Sequence, residues 1–230
     1  MRIISFVSNR MHGGAGQPQP IKNFLPEWYR KAETHFQSAK YDHKKMAGLK
    51  KCIPYLDAMI SGYALTIPVD IQVSRNEDGS LKLDWESDKI TQFIDERPHE
   101  MGSTMPRIPG YYPNHLVFAG LWGWKTPRGY STLVIPPLNR DDLPFKIMAG
   151  IMDTDEFWGA GNIPFYIRND FVGVIPKGTP FAQIIPIKRT SWKMTKNNQG
   201  YADSLEAHAS VVRDPARSYK KTMWHRKEYN

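Results

Sequence analysis

Apolar and polar residues alternate along residues 63 to 85. An alternating apolar run ends at Val73, the sequence NEDG follows, and Leu81, Leu83 and Trp85 continue the alternation. Apolar residues at every second position indicate strands with one buried face, and Asn-Glu-Asp-Gly supplies turn residues. This stretch therefore predicts a β-hairpin.

The second half of the chain repeats short apolar segments between turn signals. From Ser131 onward these segments are STLVIP, IPFYIRN, VGVIP and FAQIIPIKR. Their spacing is typical of an all-β sandwich or barrel, and nothing in the order of segments suggests alternating β and α units. We therefore predict a mainly β protein with an antiparallel core at residues 53 to 190.

The two ends of the chain have different patterns. Residues 11 to 20, MHGGAGQPQP, are rich in Gly, Pro and Gln and predict a flexible loop. Leu25, Trp28, Tyr29 and Ala32 follow at helical spacing, which predicts a short helix. The expected organisation is thus an N-terminal extension (1–52), the β core (53–190) and a basic C-terminal tail (191–230).

Composition narrows the class of protein. The chain has 230 residues, 40% of them hydrophobic, and contains no apolar run near the ~20 residues of a membrane span. Its single cysteine, Cys52, excludes an internal disulfide framework and a cysteine-based zinc site. The seven histidines do not occur at metal-ligand spacing, so we predict no metal site. These features favour a protein of the reducing cytosol that has no membrane contact.

Positive charge is concentrated in the tail. Residues 188 to 230 hold ten Lys or Arg against four acids, which is +6 of the formal net charge of +8. Basic residues interleaved with Tyr and Trp suit a nucleic-acid backbone or another acidic partner, whereas a tail that is merely solvated is the alternative. The candidate contact residues are Arg213, Arg217, Lys220, Lys221, Arg226 and Lys227.

The chemically most distinctive stretch is GIMDTDEFWG, residues 150 to 159. It stands in an ordered series: TPRGYSTLVIPP comes before it, and YIRN and VIPKGTPFAQIIPIKR come after it. This order resembles the dUTPase and dCTP-deaminase superfamily, which has the β-clip (jelly-roll) fold, over residues 126 to 189. The matching positions are Pro127, Gly129, Tyr130, Pro136, Pro137, Gly150, Met152, Asp153, Asp155, Gly159, Asn169, Gly178, Ala182 and Gln183.

The resemblance implies roles for several residues. Asp153 matches the aspartate that positions and activates the attacking water. Magnesium would be the cofactor only if the chain is an enzyme. Members of the superfamily are usually trimers, so a trimer is the oligomer that the resemblance implies. The implied ligand-binding residues are Asp155, Phe157, Trp158, Arg140, Asn169 and Gln183.

The chain also departs from the superfamily pattern. Pro137 and Leu138 replace the arginine and serine of its phosphate-binding Pro-Arg-Ser motif, and the C-terminal SYKKTMWHRKEYN has no glycine of the arm that closes over the triphosphate. Loss of such groups removes transition-state stabilisation. An Asp-x-Asp pair can instead accept backbone N–H bonds and fix a turn.

Two functions follow from these patterns. The first is a non-catalytic binding or assembly protein without a cofactor. The second is a divergent Mg-dependent pyrophosphatase of deoxynucleoside triphosphates, with Asp153 as water activator. The segments LPEWY, PYLDAM, KTPRGYS, PLNR and DTD together also resemble uncharacterised proteins of tailed phages. That similarity predicts a phage-encoded protein of the host cytosol or the virion, with a protein partner in an assembly.

Overall fold

The computed structural model describes residues 2–8, 14–86, 90, 92–196, 200–213 and 219–230, without the side chains of Tyr41 and Arg213. The strands are β1 (Ser5–Ser8), β2 (Gln19–Pro20), β3 (His35–Gln37), β4 (Lys45–Ala47), β5 (Tyr63–Thr66), β6 (Ile71–Arg75), β7 (Leu81–Asp84), β8 (Ile94–Glu96), β9 (Leu116–Ala119), β10 (Trp122–Lys125), β11 (Tyr130–Ile135), β12 (Phe145–Ile147), β13 (Gly150–Met152), β14 (Asn162–Ile167), β15 (Gly173–Ile175) and β16 (Pro180–Lys188). The α-helices are α1 (Glu27–Lys31), α2 (Ile53–Ile60), α3 (His99–Gly102) and α4 (Tyr201–Arg213). Short 3-10 turns lie at Ile21–Phe24, Ala39–Tyr41 and Leu49–Lys51, and a π-helical turn lies at Tyr219–Met223.

The described chain forms two compact units. The first comprises Met1–Phe24 and Gly62–Arg189, and the second comprises Leu25–Ser61 and Thr190–Asn230. This grouping differs from the predicted division into 1–52, 53–190 and 191–230. The reason is strand pairing: β1 pairs with β10 and β2 pairs with β5, so parts of the predicted extension belong to the sheets of the first unit.

The first unit consists of antiparallel sheets, which confirms the predicted fold class. A five-stranded sheet has the order β13-β11-β16-β5-β2, and a four-stranded sheet has the order β12-β14-β9-β8. A three-stranded sheet, β15-β6-β7, and the pair β1-β10 complete the unit. Because β11 lies between β13 and β16, residues at the ends of these three strands come together.

Aromatic side chains fill the core of the first unit. Phe181 of β16 is fully buried, and its ring centroid lies 4.5 Å from that of Phe118, 5.1 Å from that of Phe165 and 5.4 Å from that of Phe145. These three partners belong to the four-stranded sheet, whereas Phe181 belongs to the five-stranded one. The buried faces of the two sheets thus share one aromatic cluster, as expected for strands with alternating apolar residues.

The locally encoded elements were predicted correctly. The hairpin around NEDG is the pair β6-β7, with Gln72 opposite Asp84 and Val73 opposite Leu83. The four apolar segments after Ser131 are the strands β11, β14, β15 and β16. The predicted N-terminal helix is α1, which has Pro26 as its N-cap.

In its described part, the second unit combines the helices α1, α2 and α4 with a β-hairpin. Its hairpin pairs β3 with β4, and α2 follows directly after the Leu49–Lys51 turn. The buried Tyr29 of α1 stacks on Tyr55 of α2 with ring centroids 6.2 Å apart. Among the described residues, no helix has the length and apolar character needed to cross a bilayer.

Candidate functional site

The acidic loop, residues 153 to 159, begins where the edge strand β13 ends. Strand β13 pairs with β11, which places Met152 opposite Thr132. The backbone then turns sharply, since the N–H groups of Glu156 and Phe157 both donate to the carbonyl of Asp153, at 3.0 and 2.9 Å. This turn directs the two aspartate side chains of the loop toward the end of β11.

A buried threonine fixes the loop to the sheet. Thr154 is buried, and its hydroxyl oxygen lies 2.8 Å from that of Thr126 and 2.7 Å from that of Thr132. The Thr126 N–H also donates to the Thr154 carbonyl at 3.2 Å. With Thr154 fixed in this way, the positions of its neighbours Asp153 and Asp155 are set by the fold.

Asp155 is an internal ion-pair partner. Its side chain is only 3% exposed, and both of its carboxylate oxygens accept hydrogen bonds from the Arg189 guanidinium. The N–H of Gly129 donates to Oδ2 of Asp155 at 2.8 Å. The Arg189 hydrogen bonds are the main cause that lowers the pKa of Asp155 from 3.8 to about 2, with the Gly129 N–H contributing and burial opposing.

Gly129 connects the acidic loop to Arg189 through its backbone. Besides donating to Asp155, it accepts a hydrogen bond from the Arg189 N–H at 2.9 Å. Its φ is +81°, in the left-handed region that favours glycine. The Pro-Arg-Gly-Tyr turn of the sequence therefore holds both members of the ion pair.

Asp153 differs from Asp155 because it faces solvent. Its side chain is 63% exposed, and its Oδ1 accepts a hydrogen bond from the Ser131 hydroxyl at 2.6 Å. Nη1 of Arg189 lies 3.2 Å from the same oxygen. One guanidinium thus serves two carboxylates, and both of them raise the pKa of Arg189, Asp155 more strongly than Asp153.

The aromatic residues of the loop are exposed. Phe157 is 57% exposed and Trp158 is 48% exposed. The Nζ of Lys125 lies 5.8 Å from the centroid of the Trp158 ring. The loop passes close to β10 at Gly123, where an added Cβ would lie 2.3 Å from the Trp158 carbonyl oxygen. Phe157, Trp158 and Lys125, which we call the aromatic surface, are the exposed part of this region.

Arg140 is already engaged elsewhere in the first unit. Its guanidinium binds both carboxylate oxygens of Asp142, at 2.8 and 2.9 Å, and donates to the Phe24 carbonyl at 2.9 Å. The side chain is 13% exposed. Arg140 therefore holds the residues after β11 against the 3-10 turn at Ile21–Phe24.

The other two ligand candidates also have structural contacts. Gln183 is fully buried, and its Oε1 accepts a hydrogen bond from the Leu138 N–H at 2.9 Å. Asn169 is exposed in the turn after β14, where its carbonyl accepts a hydrogen bond from Arg75 at 3.1 Å. The ligand roles of Arg140, Asn169 and Gln183 stay predictions.

Sequence reasoning did not identify Ser131 and Arg189 as part of this site. The signal that would have found Arg189 is strand register. Pairing of β11 with β16 places Tyr130 opposite Lys188, so the next residue, Arg189, reaches Gly129 and the acidic loop. The strands themselves were predicted, but their pairing was not.

The C-terminal segment of the second unit is held by one aspartate. Asp57 of α2 is buried, and its Oδ2 accepts hydrogen bonds from Nε1 of Trp224 at 2.8 Å and from Nζ of Lys227 at 2.6 Å. Arg226 forms an exposed ion pair with Glu228 at 3.2 Å.

The remaining candidate tail residues are partly within and partly outside the described residues. Lys220 and Lys221 are exposed in the π-helical turn. Arg217 lies outside the described residues, as does the side chain of Arg213. Contact of the tail with nucleic acid stays a prediction.

The residues of the acidic loop do not suit a bound divalent cation. The Arg189 guanidinium already binds the carboxylates of Asp153 and Asp155, and among the described residues no group of three or more His, Cys, Asp or Glu could hold a metal ion. No reaction step is therefore assigned to a metal here.

Comparison with known proteins gives structural matches only. No protein-family model matches the chain, and no curated protein is significantly similar to it. One similar solved structure is a point mutant of the dUTPase from phage phi11 of S. aureus, described as coordinating a structural Mg(II) ion: identity is 12%, coverage is 47% of this chain and 98% of that one, and the TM-score is 0.27. A second structure of the phage phi11 dUTPase matches at 12% identity, with 47% and 97% coverage and a TM-score of 0.25. The matches belong to the superfamily that the motif order resembles, but scores this low support no argument about the site.

Proposed function

We propose that this chain is a non-catalytic binding or assembly protein on a dUTPase-like fold, and that the aromatic surface mediates its self-association. The observation that carries this proposal is the sharing of one guanidinium, that of Arg189, by the carboxylates of Asp153 and Asp155. Asp153, which matches the water-activating aspartate of the superfamily, here shares this guanidinium with Asp155 and so helps to stabilise the loop.

The ion pair argues against general-base chemistry at Asp155. A general base works best when its pKa lies near the operating pH and when it can reach the proton that it accepts. Asp155 has a pKa of about 2, and its carboxylate is covered by Arg189 and Gly129. It is therefore a structural group.

Stabilisation of a developing phosphate charge would also need free cations or N–H donors. The nearest arginine after the Pro-Pro that replaces the phosphate motif is Arg140, which binds Asp142 and the Phe24 carbonyl. Arg189 is likewise engaged with carboxylates. These contacts support the proposal that the protein retains the acidic loop but does not hydrolyse nucleotides.

The aromatic surface supports an assembly role. Aromatic residues are enriched in protein interfaces, and exposed apolar residues that lie together mark sites of association. Phe157 and Trp158 are adjacent and half exposed, and Lys125 adds a charge at their edge. A homo-oligomer, with the trimer favoured by the sequence resemblance, is the proposed product. The phage origin and a place in the virion rest on the sequence resemblance alone.

Sedimentation velocity over a range of protein concentrations tests this proposal. We expect an oligomer of the wild type, and a shift toward monomer for the double variant Phe157→Ser/Trp158→Ser. The matched control is Val172→Thr, which changes an exposed apolar residue outside the loop. A wild type that is monomeric throughout, or a double variant that associates as the wild type does, would contradict the proposal.

A second candidate function is supported by Asp153. This carboxylate is 63% exposed, and its Oδ1 is held by the Ser131 hydroxyl and by Arg189, so a water molecule can reach it. In that case the chain is a divergent nucleotide pyrophosphatase with Asp153 as the water activator. Turnover that depends on Asp153 distinguishes this function from the first.

A further inference from the structure

The second unit contains a cavity of about 330 Å³. Binding sites for small molecules begin at about this volume, with roughly 300–1,000 Å³ as the usual range. Two parts of the chain that are distant in sequence form it: the turn that leads into α2, and the end of α4 together with the π-helical turn at Tyr219–Met223. The cavity belongs to neither the acidic loop nor the Asp57 ion pair.

One part of the cavity wall is apolar. Ile53 and Pro54 contribute from the start of α2, Val211 contributes from α4, and Tyr219 adds an aromatic ring. An apolar wall of this kind favours an organic body over a bare inorganic ion, because contact with it removes apolar surface from water.

The polar part of the wall is positive. Lys51 and Lys220 both line the cavity, and no Asp or Glu is among its lining residues. Among the described residues, neither lysine forms a salt bridge. Two ammonium groups beside an apolar wall attract an anion.

The start of α2 adds to this positive potential. Its N-cap is Cys52, which makes no side-chain capping hydrogen bond, and Pro54 in the first turn has no N–H, so the donors at this end are those of the other first-turn residues. The first-turn N–H groups of a helix and its dipole favour negative charge at this end. The helix start therefore reinforces the two lysines rather than forming a site alone.

We infer that this cavity binds a small organic anion. Its phosphate or carboxylate group would lie between Lys51 and Lys220 at the start of α2, and its apolar or aromatic body would lie against Ile53, Val211 and Tyr219. The chemical class is thus an organic phosphate or carboxylate with one compact apolar group. This inference does not depend on the function of the acidic loop.

The single cysteine of the chain provides the readout. Cys52 is exposed and lines the cavity, so a ligand bound there shields its thiol. The experiment measures the rate at which N-ethylmaleimide, a neutral reagent, alkylates the full-length protein in increasing concentrations of phenyl phosphate. We expect saturable protection of Cys52. Inorganic phosphate and phenol should protect much less at equal concentration. Inorganic phosphate lacks the apolar group, and phenol lacks the anionic group.

Charge variants locate the binding site. Lys51→Gln and Lys220→Gln should each weaken the protection by phenyl phosphate roughly tenfold, the effect of removing one charged hydrogen bond. The matched control is Lys221→Gln, the neighbouring exposed lysine that does not line the cavity, and it should leave protection unchanged. Titration calorimetry on Cys52→Ser should show the same affinity as the wild type, since the thiol is a reporter and not a ligand contact.

Several outcomes would overturn the inference. Absence of saturable protection by phenyl phosphate would do so, as would equal protection in Lys51→Gln, Lys220→Gln and Lys221→Gln. Equal protection by inorganic phosphate would show that the apolar wall contributes nothing, and the assignment of an organic ligand would then be wrong.

Discussion

The acidic loop of the first unit and the C-terminal segment of the second unit carry opposite charges, and each is fixed by a group of opposite sign from a distant part of the chain. In the loop, Arg189 binds both Asp153 and Asp155. In the C-terminal segment, Asp57 binds Lys227 and the indole N–H of Trp224.

The two regions differ in what remains available for a partner. One guanidinium binds Asp153 and Asp155, of which only Asp155 is covered, so the exposed part of the loop comprises Phe157, Trp158 and the carboxylates of Asp153 and Glu156. One carboxylate serves a segment with several cations, so Lys220 and Lys221 remain exposed. The charge count of the sequence therefore does not reveal that Asp155 is covered, whereas Lys220 and Lys221 are as exposed as their place in the basic tail suggests.

The largest expected effect comes from removing the cation of the loop. Arg189→Met leaves the covered carboxylate of Asp155 without its partner, and we expect the melting temperature to fall by roughly 5 °C. The control is Lys188→Met, which changes the preceding exposed residue. Differential scanning calorimetry of the two variants checks this prediction. Equal melting temperatures would show that Arg189 does not stabilise the loop.

The pH dependence of Asp155 gives the next effect. Its pKa is lowered from 3.8 to about 2 in the folded state, so its contribution to stability is complete above 3.8 and is lost as the pH falls toward 2. Asp155→Asn lacks this contribution. The difference between wild type and variant in the free energy of unfolding should therefore narrow over that range.

Urea unfolding at pH 7, 4, 3 and 2.5 measures this difference. Asp153→Asn is the matched control because Asp153 is largely exposed, and its substitution should change stability less at pH 7. If the difference in the free energy of unfolding between wild type and Asp155→Asn stays constant with pH, the assignment of Asp155 as the buried partner of Arg189 is contradicted.

A smaller effect is expected in the second unit. Asp57→Asn keeps an acceptor for Trp224 but removes the charge that holds Lys227, so stability should fall by about 1 kcal/mol. Trypsin should also cleave faster after Lys220 and Lys221, because the C-terminal segment is released. Asp203→Asn, on the exposed part of α4, is the control. Unchanged cleavage in Asp57→Asn would show that this ion pair does not order the segment.

The smallest effect concerns binding of the tail to nucleic acid. Lys220→Gln/Lys221→Gln should leave the melting temperature unchanged and lower the salt slope of binding to double-stranded DNA by about 2, one unit for each lysine that no longer neutralises a phosphate. Lys227→Gln should change the slope less, since Asp57 already holds this ammonium. Fluorescence anisotropy at several salt concentrations measures the slopes. A larger change in the salt slope for Lys227→Gln than for Lys220→Gln/Lys221→Gln would contradict this prediction.

Local patterns accounted for much of the fold. The β6-β7 hairpin followed from alternation around a turn, and both signals lie within a few residues of each other. Such features depend on neighbouring residues, so the sequence contains them directly.

The partners of the charged groups could not be predicted in this way. Arg189 reaches Asp155 only through the register of β11 and β16, and Lys227 reaches Asp57 across 170 residues of chain. No spacing rule connects residues so far apart without the tertiary fold. These long-range pairs decide how much of Asp155 and of Lys227 is available to a ligand.

The most direct test of the central claim is a pyrophosphate-release assay on the folded wild type and on Asp153→Asn. The four common deoxynucleoside triphosphates and dUTP would be supplied with magnesium. The account predicts no release above the protein-free background for either protein, because the loop carboxylates stabilise the fold. Turnover by the wild type that Asp153→Asn abolishes would contradict it and establish Asp153 as a catalytic residue.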